Sequence, residues 1–454
     1  MRKALSGGLT KGENEMKKLL LTLATACMAF TLTGCNNTTP MEDYQNTNRG
    51  SNIYHPIMKT EDGYYYNNTP NDSLTLQEDL ALKYHDNTTG DDIYLCAKPE
   101  CTHDGNTFCT ATNERLSVSY MGMYESNIYI AAIEPGRGLN FKLLKASLDG
   151  TELSEICTVI QTAPTTESSI ITYRDTRVMI LHRGHAFIPY TFSYNYMSDT
   201  VTTGLAIINL SDGSVQYMPE YEHEYSKLAD YYTNIIPYGD YIYYTMSKNE
   251  FHRYNFKTGE DEILPFKESL TETYGDKFSK KIKDFKNYTV IDDKVWYLCG
   301  GTKKSKASMF IYDPDENTTT LVEEFGEKLL AETTTYDKNG EPYAVSTNYC
   351  ISPQPMYDGN YLYIVEQGFL AGNIEGKGFF VEESSIYEDM QVHIFTLEGE
   401  RLGGFVFQRK GTCQVNVVDE TFYMQTPEGT VYCSVADVIA GNIEWKELQF
   451  NQIK

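Results

Sequence analysis

A short phrase of polar turn residues followed by an apolar strand recurs along most of the chain. It appears, for example, as "EDGYYY" at 61, "YGDYIYYTM" at 238 and "YDGNYLYIV" at 357. Aromatic and β-branched residues bounded by Gly, Asp and Asn are typical of β-strands. Aligned on the strand centre, seven such phrases place the following residues at one position: Tyr65, Tyr129, Met179, Tyr243, Trp296, Tyr363 and Tyr423. The repeat therefore has a period of about 60 residues.

A second pattern follows the first, in which two strand-like runs flank a tight turn. The turns are Asp149-Gly150, Asp212-Gly213, Thr258-Gly259 and Glu398-Gly399. A turn of this kind between alternating runs indicates a β-hairpin. Amphipathic helix is scarce, and residues 267–286 are the best candidate for a helical insert, with a charged loop as the alternative.

A unit of three to four antiparallel strands cannot bury both faces alone, but units stacked around an axis can. The repeat therefore predicts an all-β fold, a β-propeller of seven blades. Two β-sandwich or barrel domains are the alternative. The central aromatic residues are expected to pack between blades rather than to form a binding stripe. A period near 60 exceeds the roughly 40–50 residues of compact blades, so the extra length is expected in loops at one end.

Closure of the ring is expected to involve the two ends of the propeller sequence. The final run, "NIEWKELQF", is by itself too short to complete the last blade. We therefore expect a strand near residues 53–60 to pair with that blade.

The start of the chain has the pattern of an export signal. Lys17 and Lys18 precede an apolar stretch that ends near Leu32, as in a signal peptide. This stretch is shorter than the roughly 20 residues of a transmembrane helix. Leu32-Thr33-Gly34-Cys35 resembles the lipobox of bacterial lipoproteins, which implies cleavage before Cys35 and acylation of that residue. A plain secretory signal with an ordinary cysteine is the alternative.

These features divide the chain into three parts. Residues 1–34 are predicted to combine an over-extended start with the signal peptide, with Met16 as the true start. Residues 35–52 are polar and lack periodicity, which indicates a flexible tether. Residues 53–454 are predicted to form the propeller. Two acyl chains suffice for stable anchoring, so the expected location is the outer, extracytoplasmic face of the cell membrane.

Charge narrows the range of partners. The whole chain carries a net charge of −25. Without residues 1–34 it retains 33 basic and 61 acidic side chains, a net charge of −28. Such a field repels nucleic acid phosphates and anionic lipid headgroups. The chain is therefore predicted not to bind nucleic acid and to contact the membrane through its lipid only. A protein or a glycan ligand is compatible with this charge, but nothing in the sequence identifies one.

One segment, "YLCAKPECTHDGNTFC" at 94–109, concentrates side chains that bind metals. Cys96, Cys101, His103 and Cys109 form the pattern C-x4-C-x-H-x5-C. Three thiolates and one imidazole make a complete tetrahedral set for structural Zn²⁺, although the spacing is not that of common zinc fingers. Neighbouring cysteines in an exported protein usually form a disulfide, and unpaired thiols are the third interpretation. We expect the four side chains to meet in one cluster beside the first blade.

Motifs of the common enzyme classes are missing from the sequence. It contains no G-x-S-x-G, H-E-x-x-H, Walker or dinucleotide-binding pattern. His182 and His185 in "HRGH" would point to opposite faces of one strand and are expected at a solvent-facing strand end. The sequence favours a binding or interaction module over an enzyme. A carboxylate-dependent glycan hydrolase or lyase and a purely structural envelope protein are the alternatives.

The "DGxxLY" strand phrase, the "sLDGtel" hairpin and the "LCxxPxCxH" segment together resemble a known group of proteins. These are the tyrosine-rich, lipid-anchored β-propeller lipoproteins of Gram-positive bacteria, which mostly lack an assigned function. The resemblance extends over nearly all of the mature chain. It implies the fold and the anchor, and it implies no activity.

Overall fold

Antiparallel strands make up most of the regular structure in a computed structural model of the protein. The structure describes residues 58–67, 78–105, 109–135, 139–161, 179–192, 200–224, 232–246, 250–276, 288–299, 308–324, 335–336, 342–343, 348–351, 354–371, 387–410, 414–418, 420–426 and 429–448. All of these residues belong to one compact unit. Residues 1–34, the predicted tether at 35–52 and the lipidation candidate Cys35 lie outside the described residues.

The strands follow the sequence repeat, and we number seven repeat units in chain order. Unit one contains β1 (Met58–Lys59), β2 (Gly63–Asn67), β3 (Glu78–Asp86) and β4 (Asp92–Tyr94), and unit two contains β5 (Thr112–Tyr124), β6 (Asn127–Pro135), β7 (Leu139–Ser147) and β8 (Leu153–Gln161). Unit three contains β9 (Ile180–His182), β10 (His185–Phe192), β11 (Thr200–Asn209), β12 (Val215–Tyr217) and β13 (Tyr221–Glu224). Unit four contains β14 (Thr233–Tyr238), β15 (Tyr241–Met246), β16 (Glu250–Asn255) and β17 (Glu260–Ile263).

The remaining three units and a separate hairpin complete the chain. Unit five contains β18 (Tyr288–Ile291), β19 (Lys294–Cys299), β20 (Ser308–Asp313) and β21 (Thr318–Glu324), and the hairpin that follows consists of β22 (Thr335–Tyr336) and β23 (Pro342–Tyr343). Unit six contains β24 (Asn348–Ile351), β25 (Gln354–Tyr357), β26 (Leu362–Ala371), β27 (Tyr387–Phe395) and β28 (Arg401–Lys410). Unit seven contains β29 (Gln414–Val418), β30 (Thr421–Thr426), β31 (Gly429–Ser434) and β32 (Lys446–Leu448).

The all-β propeller arrangement is confirmed, but the sheets do not number seven separate blades. Among the described residues, units three to seven form five separate sheets of four or five strands. The first two units share one eight-stranded sheet, because β3 pairs with β5 as well as with β2. The sequence repeat could not reveal this, since a strand pairing across two repeats leaves the period unchanged.

Hydrophobic clusters join each unit to the next. Six clusters of buried residues lie between units one and two, two and three, three and four, four and five, five and six, and six and seven. Successive side chains of a strand point to opposite faces. The third residue of β6, Tyr129, therefore packs towards unit three, whereas its neighbours Ile128 and Ile130 pack towards unit one. This alternation explains the predicted packing of aromatic residues between blades.

Met179 is the one predicted strand centre that is wrong. It precedes β9, and the second strand of this unit is β10, which begins after the Arg183-Gly184 turn. Both turn residues have positive φ, 45° and 72°, as in a type I′ hairpin turn, but Arg-Gly is not one of the usual sequence signals for it. Phe187 occupies the third position of β10 and is fully buried. The second strand of every unit therefore has an aromatic residue near its start, at its third position or, for Tyr363 in β26, at its second.

The same turn corrects the expectation for the two histidines. His182 and His185 are directly opposite each other on β9 and β10, rather than on the two faces of one strand. His182 is fully buried, not solvent-facing. Its Nε2 lies 2.8 Å from the carbonyl oxygen of Gly239 in the next unit.

The turns between the first and second strands of successive units contact each other. Arg183 in unit three pairs with Asp240 in unit four over 2.8 Å, and Asn360 in unit six donates to Glu420 in unit seven over 2.7 Å. These turns have two to four residues, whereas connections that start from the opposite end reach 24 residues, between β17 and β18. The extra length of the repeat accordingly belongs to one end.

The first and last units come close together at Tyr64. Burial and nearby charges, among them those of Tyr423 and Tyr432 in unit seven, raise the pKa of Tyr64 in β2. Tyr423 is the central aromatic residue of β30, and the corresponding aromatic residue packs towards the next unit in each of the other six units. The predicted strand exchange is wrong for Met58 and Lys59, because β1 pairs with β2. Residues 446–448 complete the last sheet as β32, and residues 53–57 lie outside the described part.

Two helices accompany the strands. Helix α1 (Phe266–Tyr274) confirms the start of the predicted helical insert at 267–286, and Phe266 and Leu270 pack between units four and five. Helix α2 (Val435–Ala440) begins after Ser434, whose hydroxyl accepts a hydrogen bond from the N–H of Asp437. Among the described residues, neither helix has the length and apolar character needed to span a membrane.

Candidate metal centre

The cysteine-rich segment forms the connection between units one and two. It leaves β4 at Leu95 and enters β5 at Thr112, and residues 106–108 lie outside the described part. The structure brings its four candidate ligands together. One donor atom each from Cys96, Cys101, His103 and Cys109 lies within 4.8 Å of every other.

Cys109 is the most enclosed of these ligands. It is buried, and its sulfur accepts hydrogen bonds from the backbone N–H groups of Ala111 at 3.4 Å and Thr112 at 3.3 Å. The Nδ1 atom of His103 lies 3.4 Å from the same sulfur. These contacts fix the position of the Cys109 sulfur within the cluster.

The pKa of Cys96 lies below that of an ordinary cysteine. Burial alone would raise this pKa, but hydrogen bonds, among them those from the backbone N–H groups of Lys98 and Thr110 and from the neighbouring Cys101 thiol, outweigh burial and lower it to about 6.

Cys101 lies between the other two sulfurs. The backbone N–H of His103 favours its thiolate, but burial and the neighbouring sulfurs of Cys109 and Cys96 have the larger combined effect and raise its pKa. Three thiolates at this spacing repel one another. A divalent cation among them would remove this repulsion and favour all three thiolates.

His103 is held in an unusual backbone conformation. Its φ is 54°, in the left-handed region that non-glycine residues seldom occupy. Its ring lies against Tyr94, with 4.8 Å between ring centroids. Such a conformation costs on the order of 1–3 kcal/mol and persists where the surroundings require it. Here it turns Nδ1 towards the sulfurs.

The hairpin turn between β7 and β8 supports the segment from the second unit. The carbonyl oxygen of Gly150 accepts hydrogen bonds from the Thr110 hydroxyl at 2.8 Å and from the N–H of Ala97 at 3.0 Å. Gly150 has a φ of 70°, and a Cβ there would lie 2.7 Å from the carbonyl carbon of Leu95 and 2.8 Å from the nitrogen of Cys96. Only glycine fits this contact without displacing the Cys96 backbone.

The three interpretations of the segment differ in the sulfur geometry that they require. Among the described residues, the sulfurs of Cys96, Cys101 and Cys109 are free thiols, as are those of Cys157 and Cys433 elsewhere. A tetrahedral zinc ion with bonds of about 2.0–2.3 Å separates its ligand atoms by roughly 3.3–3.8 Å. The observed spread, up to 4.8 Å, requires only small side-chain shifts to reach that geometry. The residues therefore fit a Cys₃His zinc site.

The sequence did not reveal the hydrogen bond between Thr110 and Gly150 that supports the segment. Nothing in the sequence indicated a role for Thr110, and Gly150 was recognised only as a turn residue. The side chains of Cys299, Cys350 and Cys413 lie outside the described part of the chain.

Comparisons with known proteins add little at the level of sequence. No protein-family model matches the chain, and no curated protein matches it. Among solved structures, the chain is similar to a prolyl endopeptidase, with 10% identity and a TM-score of 0.44 over 87% of this chain and 50% of that one. It thus spans about half the length of that enzyme.

Two further solved structures are similar to the chain. The β-propeller domain of the Trilobed protease from Pyrococcus furiosus shows 11% identity and a TM-score of 0.38, over 88% of this chain and 99% of that one. The WD40 domain of SCAP from fission yeast shows 8% identity and a TM-score of 0.32, over 83% and 91%. The fold assignment rests on the strand pairing and the inter-unit clusters described above.

Proposed function

We propose that the protein is a binding module: a β-propeller anchored outside the cell membrane by lipid on Cys35, with a structural Zn²⁺ at its first inter-unit joint. The convergence of Cys96, Cys101, His103 and Cys109 carries the metal part of this proposal. Four protein ligands fill a tetrahedral site, which is typical of structural rather than catalytic zinc. The metal would fix a loop that has little other regular structure.

Metal content tests the site. The purified protein should contain about one zinc ion per chain, and Cys101→Ser should lose it. Cys157→Ser is the matched control, because Cys157 lies on β8 outside the cluster and should leave the zinc content unchanged. Wild-type protein that binds no zinc at micromolar free metal, with thiols kept reduced, would overturn the proposal.

The anchor is supported by the lipobox-like sequence that ends at Cys35. Cys35→Ala should release the protein into the medium or leave an unprocessed precursor, because no sulfur remains to be acylated. The measurement is fractionation of cells that express either form. A cleaved Cys35→Ala protein that stays in the membrane would contradict the anchor.

The binding role is supported by the unequal ends of the repeat units. Short turns occupy one end, whereas the longest connections start and finish at the other, and long surface loops often carry binding functions. The test uses glycan purified from the cell envelope. Saturable binding without new reducing ends would support a binding module, whereas release of reducing ends would favour the glycan hydrolase alternative.

A further inference from the structure

The candidate metal centre holds more thiols than a disulfide can use. Its three sulfurs lie within 4.8 Å of one another, and a disulfide would bring two of them to about 2.05 Å. A disulfide between two of them would leave one thiol and His103. Two ligands are too few for a structural zinc site, which is almost always four-coordinate. Zinc binding and disulfide formation are therefore mutually exclusive at this position.

We propose that the site is a redox switch, in which a peroxide converts the zinc-bound form into a zinc-free form with a Cys96–Cys101 disulfide. This inference rests on the proposed zinc site and adds its regulation. The predicted location outside the cell membrane would expose the site to oxidants that the reducing cytosol removes.

The reaction balances with hydrogen peroxide as the oxidant. One thiolate of the Cys96–Cys101 pair attacks one peroxide oxygen; a sulfur–oxygen bond forms, the oxygen–oxygen bond breaks and hydroxide leaves. The other thiolate then attacks the sulfur of this sulfenic acid, forming the disulfide and releasing a second hydroxide. Two protons convert the hydroxides to water. The two sulfurs lose two electrons in total, the peroxide gains them, and Zn²⁺ dissociates.

The surroundings of the three sulfurs determine which two cysteines form the disulfide. Cys96 and Cys101 are only half-buried, whereas Cys109 is buried and held by two backbone N–H groups. A turn closed by the N–H of Cys101 and the carbonyl oxygen of Lys98, 3.1 Å apart, brings Cys101 back towards Cys96. Cys96 and Cys101 are therefore the accessible pair, and Cys109 is the thiol that remains.

The switch would act on the joint between the first two units. The N–H of Ala97, next to Cys96, donates to the carbonyl oxygen of Gly150 in the second unit. Loss of zinc frees His103 from the cluster and removes the link between the two ends of the segment. We therefore expect residues 97–105 to become more accessible to proteases after oxidation.

The test treats the zinc-loaded full-length protein, in detergent, with hydrogen peroxide. Zinc release is followed with a chromophoric chelator, and remaining thiols are alkylated and mapped by mass spectrometry. We expect release of about one zinc per chain, a Cys96–Cys101 disulfide, and alkylation of Cys109. Cys157 serves as an internal control that remains reduced, because burial raises its pKa to about 11. A thiol reductant with added zinc should restore the starting form.

Two results would overturn the switch. In the first, zinc stays bound under peroxide that fully oxidises an unfolded sample of the same chain. In the second, zinc leaves but the cysteines carry sulfinic acids and no Cys96–Cys101 disulfide. Both results leave the zinc site itself intact as a proposal, whereas a starting protein that cannot be loaded with zinc refutes the site and the switch together.

Discussion

The hydroxyl of Thr110 donates a hydrogen bond of 2.8 Å to the carbonyl oxygen of Gly150. The two residues are 40 positions apart and belong to different structural features, the cysteine-rich segment and the hairpin turn of unit two. Their contact makes the candidate metal centre part of the joint between the first two units. Changes in the turn should therefore affect metal binding.

Gly150→Ala should weaken both folding and zinc binding. The new Cβ would collide with the backbone of Leu95 and Cys96. The matched control is Gly90→Ala, since Gly90 has a similar φ of 74° and a Cβ added there would meet no atom within 4 Å. The control should lose about 1–2 kcal/mol in the free energy of unfolding from backbone strain, and Gly150→Ala about 1–3 kcal/mol more.

Urea unfolding and zinc titration measure the two effects of Gly150→Ala. Zinc affinity should fall about tenfold or more relative to the control, since the Cys96 backbone must move. Equal stability and equal zinc affinity for the two variants would show that the turn does not support the site.

His103→Gly separates the ligand role of the side chain from its backbone strain. Glycine relieves the positive φ of 54°, so the metal-free protein should become more stable by about 1 kcal/mol. Zinc affinity should fall, and free imidazole should restore it in part. Glu125→Gly, at a φ of 50° on a distant turn, should give the same gain in stability without any change in zinc affinity. Failure of imidazole to raise zinc affinity would argue against coordination by His103.

Burial and the nearby charges of Asp92 and Tyr423 raise the pKa of Tyr64, so Tyr64 and Tyr423 lie near each other and should be energetically coupled. A double-mutant cycle of Tyr64→Leu and Tyr423→Leu should give a coupling of about 0.5–1.5 kcal/mol in the free energy of unfolding. The control cycle combines Tyr129→Leu with Tyr423→Leu. Tyr129 packs between units two and three, so these effects should be additive. Additivity of the Tyr64–Tyr423 pair would mean that the ring is not closed there.

Stability should fall at alkaline pH because of the buried tyrosines. Burial and neighbouring carboxylates raise the pKa of Tyr357 to about 12, above the value of about 10 in an unfolded chain. The folded state therefore keeps this proton longer. Its stabilising effect is complete below about pH 10 and is lost as pH rises through about 12.

Urea midpoints at about pH 8 and about pH 11.5 test this pH dependence. The midpoint should be lower at the higher pH, and Tyr357→Phe should reduce the difference, because phenylalanine has no proton to lose. If the urea midpoint falls by the same amount in the wild type and in Tyr357→Phe, groups other than Tyr357 cause the loss of stability at alkaline pH.

The sequence predicted the fold where side-chain pattern and burial agree. Tyr65, Tyr243 and Trp296 are placed by alternation along their strands, and each packs between consecutive units. Met179 was misassigned because the decisive signal was a turn conformation at Arg183-Gly184, which this pair of residues adopts only with help from its surroundings. Strand pairing across units, as between β3 and β5, does not change the local pattern of apolar and polar residues in the sequence.

The candidate metal centre was likewise predicted only in part from the sequence. The spacing of Cys96, Cys101, His103 and Cys109 indicated a cluster, since short chain segments restrict how far these side chains can separate. The support from Gly150 depends on a contact between distant parts of the chain, which sequence spacing does not encode. The lowered pKa of Cys96 likewise depends on hydrogen bonds, such as those from the backbone N–H groups of Lys98 and Thr110, which form only in the folded protein.

X-ray absorption at the zinc edge of the purified, reduced protein tests the central claim most directly. The proposed site predicts three sulfur ligands at about 2.3 Å and one nitrogen at about 2.0–2.1 Å. The nitrogen should disappear in His103→Gly and return with imidazole. A zinc shell made only of nitrogen and oxygen atoms, or one with fewer than three sulfurs, would contradict coordination by Cys96, Cys101 and Cys109.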